Sequence, residues 1–121
     1  VRCTRSDGMT RMIIEQRRYE LQPGEAAGFE RAWSAARETL NNSGHCEQYG
    51  VLRNLDSANS YDVQIQWDSL SGLVAGFACG PHYARFQELV GPYDNRIVSQ
   101  VRSAPVIANR RRGWDEELIG A

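Results

Sequence analysis

The stretch Tyr61-Asp62-Val63-Gln64-Ile65-Gln66-Trp67 alternates apolar and polar side chains without a break. A β-strand sends successive side chains to opposite faces, so Tyr61, Val63, Ile65 and Trp67 share one face and Asp62, Gln64 and Gln66 the other. The first set marks a face buried under other elements. The second is polar but mostly uncharged, whereas a face meant only for bulk water more often carries arginine or glutamate. Directly after it, Asp68-Ser69 offers a helix cap, and Leu70, Leu73, Val74 and Phe77 recur at i, i+3, i+4 and i+7. A half-buried strand therefore runs into an amphipathic helix.

Upstream, Met12 to Leu21 is rich in strand formers and ends at the turn signal Pro23-Gly24. Ile13, Tyr19 and Leu21 fall on one of its faces, Met12 and Ile14 on the other. From Glu25 to Leu40, Phe29, Trp33, Ala36 and Leu40 form one apolar helical stripe, with Glu30, Arg31, Arg37 and Glu38 left to solvent. His45 to Leu55 alternates more weakly; Tyr49, Val51 and Leu55 can share a strand face. Downstream, Gly80-Pro81 opens a second helical piece bearing Tyr83, Phe86, Leu89 and Val90. Ile97 to Ile107 reads as a last strand, with Pro105 confined to an edge or bulge. The order β-α-β-β-α-β predicts an α+β, ferredoxin-like domain with an antiparallel sheet and both helices on one face. Residues 1 to 8 read as a disordered N-terminal extension ahead of Met9, 9 to 108 as the domain, and 109 to 121 as a tail carrying Arg110-Arg111-Arg112.

Two helices cover only one sheet face, and the other still carries apolar residues from the first and last strands. Burying each is worth roughly 1.5–3 kcal/mol, so the expectation is a homodimer with the two sheets facing each other.

Composition narrows the chemistry. At 121 residues with 41% hydrophobic and 24% charged residues, the chain has room for one core. A net charge of -1 argues against a nucleic-acid surface. All fourteen basic residues are arginine, which excludes Schiff-base lysine chemistry. Cys3, Cys46 and Cys79 show no CxxC spacing, so no disulfide framework is expected and a reducing, cytoplasmic setting is. Two histidines and scattered cysteines make a poor metal-ligand set. No apolar run approaches a membrane span.

The run RYELQPGEAAGFERAW (Arg18 to Trp33), then Tyr61 to Trp67 with Asp68-Ser69, then Gly80-Pro81-His82-Tyr83-Ala84-Arg85-Phe86 and Val90-Gly91-Pro92-Tyr93, resembles the antibiotic biosynthesis monooxygenase family over about residues 12 to 107. The opening strand and turn are also similar to NIPSNAP proteins. The resemblance implies a dimeric α+β barrel with one pocket per subunit between sheet and helices. It implies cofactor-free oxygenase chemistry on anthrone- or polyketide-like aromatics, in which the deprotonated substrate itself reduces molecular oxygen. The protein then has to bind a flat molecule, favour its anion and exclude water. No metal, flavin or other cofactor is implied, and the partners are a small aromatic substrate, oxygen and a second copy of the chain, with no nucleic acid and no membrane. The chain departs from the family pattern at Leu73, where many members have a histidine. Arg85, Phe86 and Gln87 occupy the late helix position of the haem-degrading branch's axial histidine, so haem degradation is not expected; His82 is the nearest histidine.

These expectations single out side chains. His82, with an ordinary pKa of about 6.5, suits proton acceptance or else a plain turn role. Trp67 either stacks on a planar ligand or packs under the second helix. Arg85, three residues after His82, can ease a substrate anion or stand exposed. Tyr19 and Tyr49 can donate hydroxyl hydrogen bonds to a ligand or serve as structural tyrosines. Phe77, Tyr83 and Phe86 shape the pocket from the core. His45 reads as an exposed loop residue and Cys79 as an inert small hydrophobe. The leading function is a cofactor-independent monooxygenase; a polyketide cyclase or isomerase needing no oxygen and a non-catalytic small-molecule binder stay open.

Overall fold

The structure is a computed structural model that describes residues 12–107; the expected extension 1–8 and tail 109–121 lie outside the described residues. Its elements are β1 (Ile13–Glu20), α1 (Ala26–Asn42), β2 (Cys46–Arg53), β3 (Ser60–Trp67), a π-helical turn at Gly72–Phe77, α2 (Tyr83–Val90), a 3₁₀ segment at Gly91–Arg96 and β4 (Ile97–Ser103). All pairings are antiparallel and the strand order is β2-β3-β1-β4, the ferredoxin-like α+β arrangement.

The central strand alternates as its sequence dictates. Tyr61, Val63, Ile65 and Trp67 are buried beneath the helices, and Gln64 on the other face is exposed. The α1 stripe of Phe29, Trp33, Ala36 and Leu40 is buried against them. Pro23-Gly24 turns the chain out of β1, with Gly24 at φ +90°, a conformation that glycine adopts without strain. Glu25 then secures the start of α1. Its Oε1 accepts the Gln22 backbone N–H at 2.7 Å, and its carboxylate takes both Nε and Nη2 of Arg96, at 2.9 and 3.0 Å. That clamp ties the 3₁₀ segment to the first helix.

Three expectations need correction. Leu55 does not share a strand face with Tyr49 and Val51: β2 ends at Arg53, and Leu55 stands 93% exposed in the turn that Asn54 Oδ1 builds by accepting the N–H groups of Asp56 and Ser57. β4 ends at Ser103, short of Pro105, which cannot donate to a ladder. The segment after Trp67 is not α-helical. Ala78 N–H reaches back five residues to Leu73 O at 2.9 Å, a π-type bond. Beside it, the His45 imidazole lies against Gly72 and Gly76, so close that a Cβ on Gly76 would come within 2.4 Å of Nε2.

The parity of β1 turns two charged residues inward. Ile13, Tyr19 and Leu21 face the helices, and so must Glu15 and Arg17, which lie between them.

Candidate active site

Charge lies under the helices. Glu15 is 2% exposed, and its carboxylate accepts three side-chain donors: Trp67 Nε1 at 3.1 Å, Gln100 Nε2 at 2.9 Å and Arg17 Nε at 3.2 Å. Arg17 Nη1 also donates to the Tyr19 hydroxyl at 3.2 Å, and the guanidinium carbon lies 5.8 Å from the ring centres of both Trp33 and Phe86. Burial pulls the Arg17 pKa down, but Glu15 and Tyr19 outweigh it and hold the guanidinium above its ordinary value. Burial pushes the Tyr19 phenol up against the opposing pull of Arg17, so it stays protonated. The cluster is a structural ion pair with an aromatic lining.

Next to it, across Trp33, is a cavity of about 360 Å³ between α1, β2 and the start of β3. α1 contributes Glu30, Trp33, Ser34 and Arg37; β2 contributes Tyr49, Gly50, Val51 and Arg53; β3 contributes Tyr61. Helical spacing puts Glu30, Trp33, Ser34 and Arg37 on one flank of α1. Tyr49 and Val51 share the helix-facing side of β2. Tyr49 donates its hydroxyl to the Trp33 carbonyl at 2.7 Å, tying strand to helix. Tyr61 donates to Glu30 Oε2, which also receives Arg53 Nη2 at 3.0 Å. The Tyr61 hydrogen bond first, then that of Arg53, lowers the Glu30 pKa. Burial, with Arg37 acting against it, raises that of Tyr49. The Trp33 indole N–H is buried without an acceptor.

The residues singled out in the sequence fall in different places. Trp67 is buried, tilted at 5.0 Å on Phe77, which meets Phe86 at 5.1 Å and Tyr83 at 5.6 Å. Phe86 then meets Trp33 edge-on at 5.6 Å, so these rings run from Trp67 to the cavity wall. Of the expected site residues, Tyr49 alone lines the cavity, and Tyr19 joins the ion-pair cluster. Neither His82 nor Arg85 reaches either place: His82 is half-buried at the N-cap of α2, and Arg85 is exposed and paired with Glu88.

Two further expectations change. His45 is no free loop residue, because its Nδ1 lies 3.0 Å from Asp68 Oδ2 and its ring packs on the π turn. Cys79 is not an inert thiol, since it is disulfide-bonded. Burial pushes the Cys46 thiol up to about 12, which leaves it protonated and unreactive. Among the described residues no group of three or more His, Cys, Asp or Glu is arranged to hold a metal ion, and no helix is long and apolar enough to cross a membrane.

Residues 12–89 match the family model described as antibiotic biosynthesis monooxygenase. The chain belongs to that family. Solved structures agree on the fold. A protein of Bordetella bronchiseptica assigned to antibiotic biosynthesis monooxygenases superposes with a TM-score of 0.67 at 20% identity, over 80% of this chain and 99% of that one. One from Chloroflexus aurantiacus, similarly assigned, gives 0.65 at 14% identity, over 82% and 97%. SnoaB, a cofactor-independent oxygenase from Streptomyces nogalater, gives 0.62 at 13% identity, over 83% and 96%. No curated protein matches the chain.

Proposed function

We propose that this protein is a monooxygenase that needs no bound cofactor and oxidises a planar aromatic molecule held in the cavity between α1, β2 and β3. One observation carries the reading: in a family of monooxygenases, an aromatic-walled space of about 360 Å³ falls within the roughly 300–1,000 Å³ of small-molecule sites. Trp33, Tyr49 and Tyr61 give the wall its aromatic part, and Arg37 and Arg53 bring positive charge.

The chemistry asks little more of the protein. A ring methylene flanked by electron-withdrawing rings loses a proton to water at the mouth of the cavity, and the N–H groups that Arg53 does not give to Glu30 steady the resulting enolate. The anion passes one electron to molecular oxygen, and the radical pair joins at that carbon as a hydroperoxide. Loss of water leaves a carbonyl, so CH₂ and O₂ become C=O and H₂O. Glu30 is a weak proton acceptor, because Tyr61 and Arg53 both stabilise its ionised form. Stabilising the product anion therefore matters more here than a strong base.

The same lack of a strong base favours a second reading, a binder or cyclase that spends no oxygen. Oxygen uptake and product mass with an anthrone, using protein stripped of metal and flavin, decide between them. The expected result is one oxygen atom incorporated, with His82→Ala and Arg85→Ala retaining the rate within about twofold because both side chains lie away from the cavity. Product that forms equally without oxygen, or no product at all, overturns the oxygenase reading.

The reading includes a homodimer formed through the helix-free sheet face. There Ile14, Leu52 and Val101 lie among Gln16, Gln48, Gln64 and Gln66, with Leu52 50% and Val101 48% exposed.

A further inference from the structure

Among the described residues the ion pairs engage Arg17, Arg18, Arg53, Arg85, Arg96 and His45. Arg37 is in none of them, and it lines the cavity. The other charges there are already matched: Glu30 receives Arg53 and Tyr61, and Arg53 is spent on Glu30. The cavity therefore carries one uncompensated positive charge, at the α1 rim, beside the Tyr49 hydroxyl that donates to the Trp33 carbonyl. The Tyr49 hydroxyl spends its one donor on the Trp33 carbonyl, and the Arg37 guanidinium has N–H donors to offer. Trp33, Tyr49 and Tyr61 are the aromatic part of the wall, with Trp33 and Tyr49 tilted at 43° and centred 6.2 Å apart.

We infer that the cavity selects a planar aromatic acid, whose single carboxylate is received by Arg37 while its ring lies against Trp33 and Tyr49. A guanidinium fork matches a carboxylate in two parallel hydrogen bonds. A doubly charged phosphate would leave one charge unmatched and would face the Glu30 carboxylate. This inference rests on reading the cavity as the substrate site, and it adds that the substrate is charged before any proton is removed.

The probes are 2-naphthoate and its neutral counterpart 2-naphthalenemethanol, titrated by calorimetry into the full-length protein. Wild type is expected to bind the acid about tenfold more tightly than the alcohol, the scale of one charge-assisted hydrogen-bonded pair. Arg37→Gln is expected to remove that preference and leave the alcohol's affinity unchanged; Arg37 is exposed on α1, so the fold tolerates the change. Arg37→Lys is expected to keep part of the preference, since it retains charge without the fork. Raising the salt should shrink the preference in wild type and in Arg37→Lys, and change nothing in Arg37→Gln. Equal binding of both probes to wild type, an unchanged preference in Arg37→Gln, or no binding of either probe overturns the inference. An acid preference in a protein that consumes no oxygen with an anthrone removes the oxygenase reading and leaves this one standing.

Discussion

Replacing Arg17 with methionine tests whether the charged cluster under the helices is a single unit. The side chains of Glu15 and Arg17 are only 3% and 12% exposed. Without the guanidinium, the Glu15 carboxylate keeps two neutral donors, Trp67 Nε1 at 3.1 Å and Gln100 Nε2 at 2.9 Å, and no compensating charge. Breaking a buried pair from one side costs about 3–5 kcal/mol, a third or more of the roughly 5–15 kcal/mol that holds a domain together. Methionine keeps much of the packing on Trp33 and Phe86, so the loss reports on charge more than volume. In Arg17→Met with Glu15→Leu no charge is left buried, the exposed Gln100 amide turns to water, and the remaining penalty is that of the orphaned Trp67 N–H, about 1–3 kcal/mol. The double variant is therefore expected to be more stable than Arg17→Met alone. Urea unfolding of wild type, both single variants and the double variant, followed by tryptophan fluorescence, gives the coupling energy directly. An Arg17→Met cost below about 1 kcal/mol, or a double-variant cost equal to the sum of the singles, refutes the account.

Two other outcomes are set by the geometry. Gly76→Ala places a Cβ within 2.4 Å of His45 Nε2, so the imidazole must leave and its contact with Asp68 breaks; a loss of about 1–2 kcal/mol is expected in thermal or urea unfolding, and Gly76→Ala as stable as wild type would mean that the ring does not rest there. Sedimentation is expected to give twice the 13.6 kDa chain mass, and Leu52→Arg with Val101→Glu should return it to a single chain; a monomeric wild type at high concentration removes the paired-sheet proposal.

The sequence showed the frame because the frame is periodic. Tyr61 to Trp67 alternates every second residue, and Phe29, Trp33, Ala36 and Leu40 recur at helical spacing, so their burial follows from geometry alone. Glu15 and Arg17 were legible by the same parity, between Ile13 and Tyr19, but charged side chains read as solvent-facing unless each is given a partner. Their partners, Trp67 and Gln100, lie on two other strands. The cavity was harder to see. Its Glu30 and Arg37 sit on the flank of α1 that reads as solvated, and its Arg53 belongs to β2, which alternates weakly. The π turn was invisible because Leu70, Leu73, Val74 and Phe77 satisfy α-helical spacing, while the ring that rests on its glycines comes from His45, far away in the chain.

That wide turn has a consequence for how this family can change. A π turn holds one residue more than the α-helical turn it replaces, and each residue rotates the chain by about 100°. Removing a single codon between Gly72 and Gly76 would leave the strands untouched yet swing Phe77 off the Trp67 ring. One small deletion, in a segment far from the cavity, would thereby redraw the stack of aromatic rings that ends at the cavity wall. Length variation here is a way for a lineage to reshape its ligand chamber without altering any side chain that lines it.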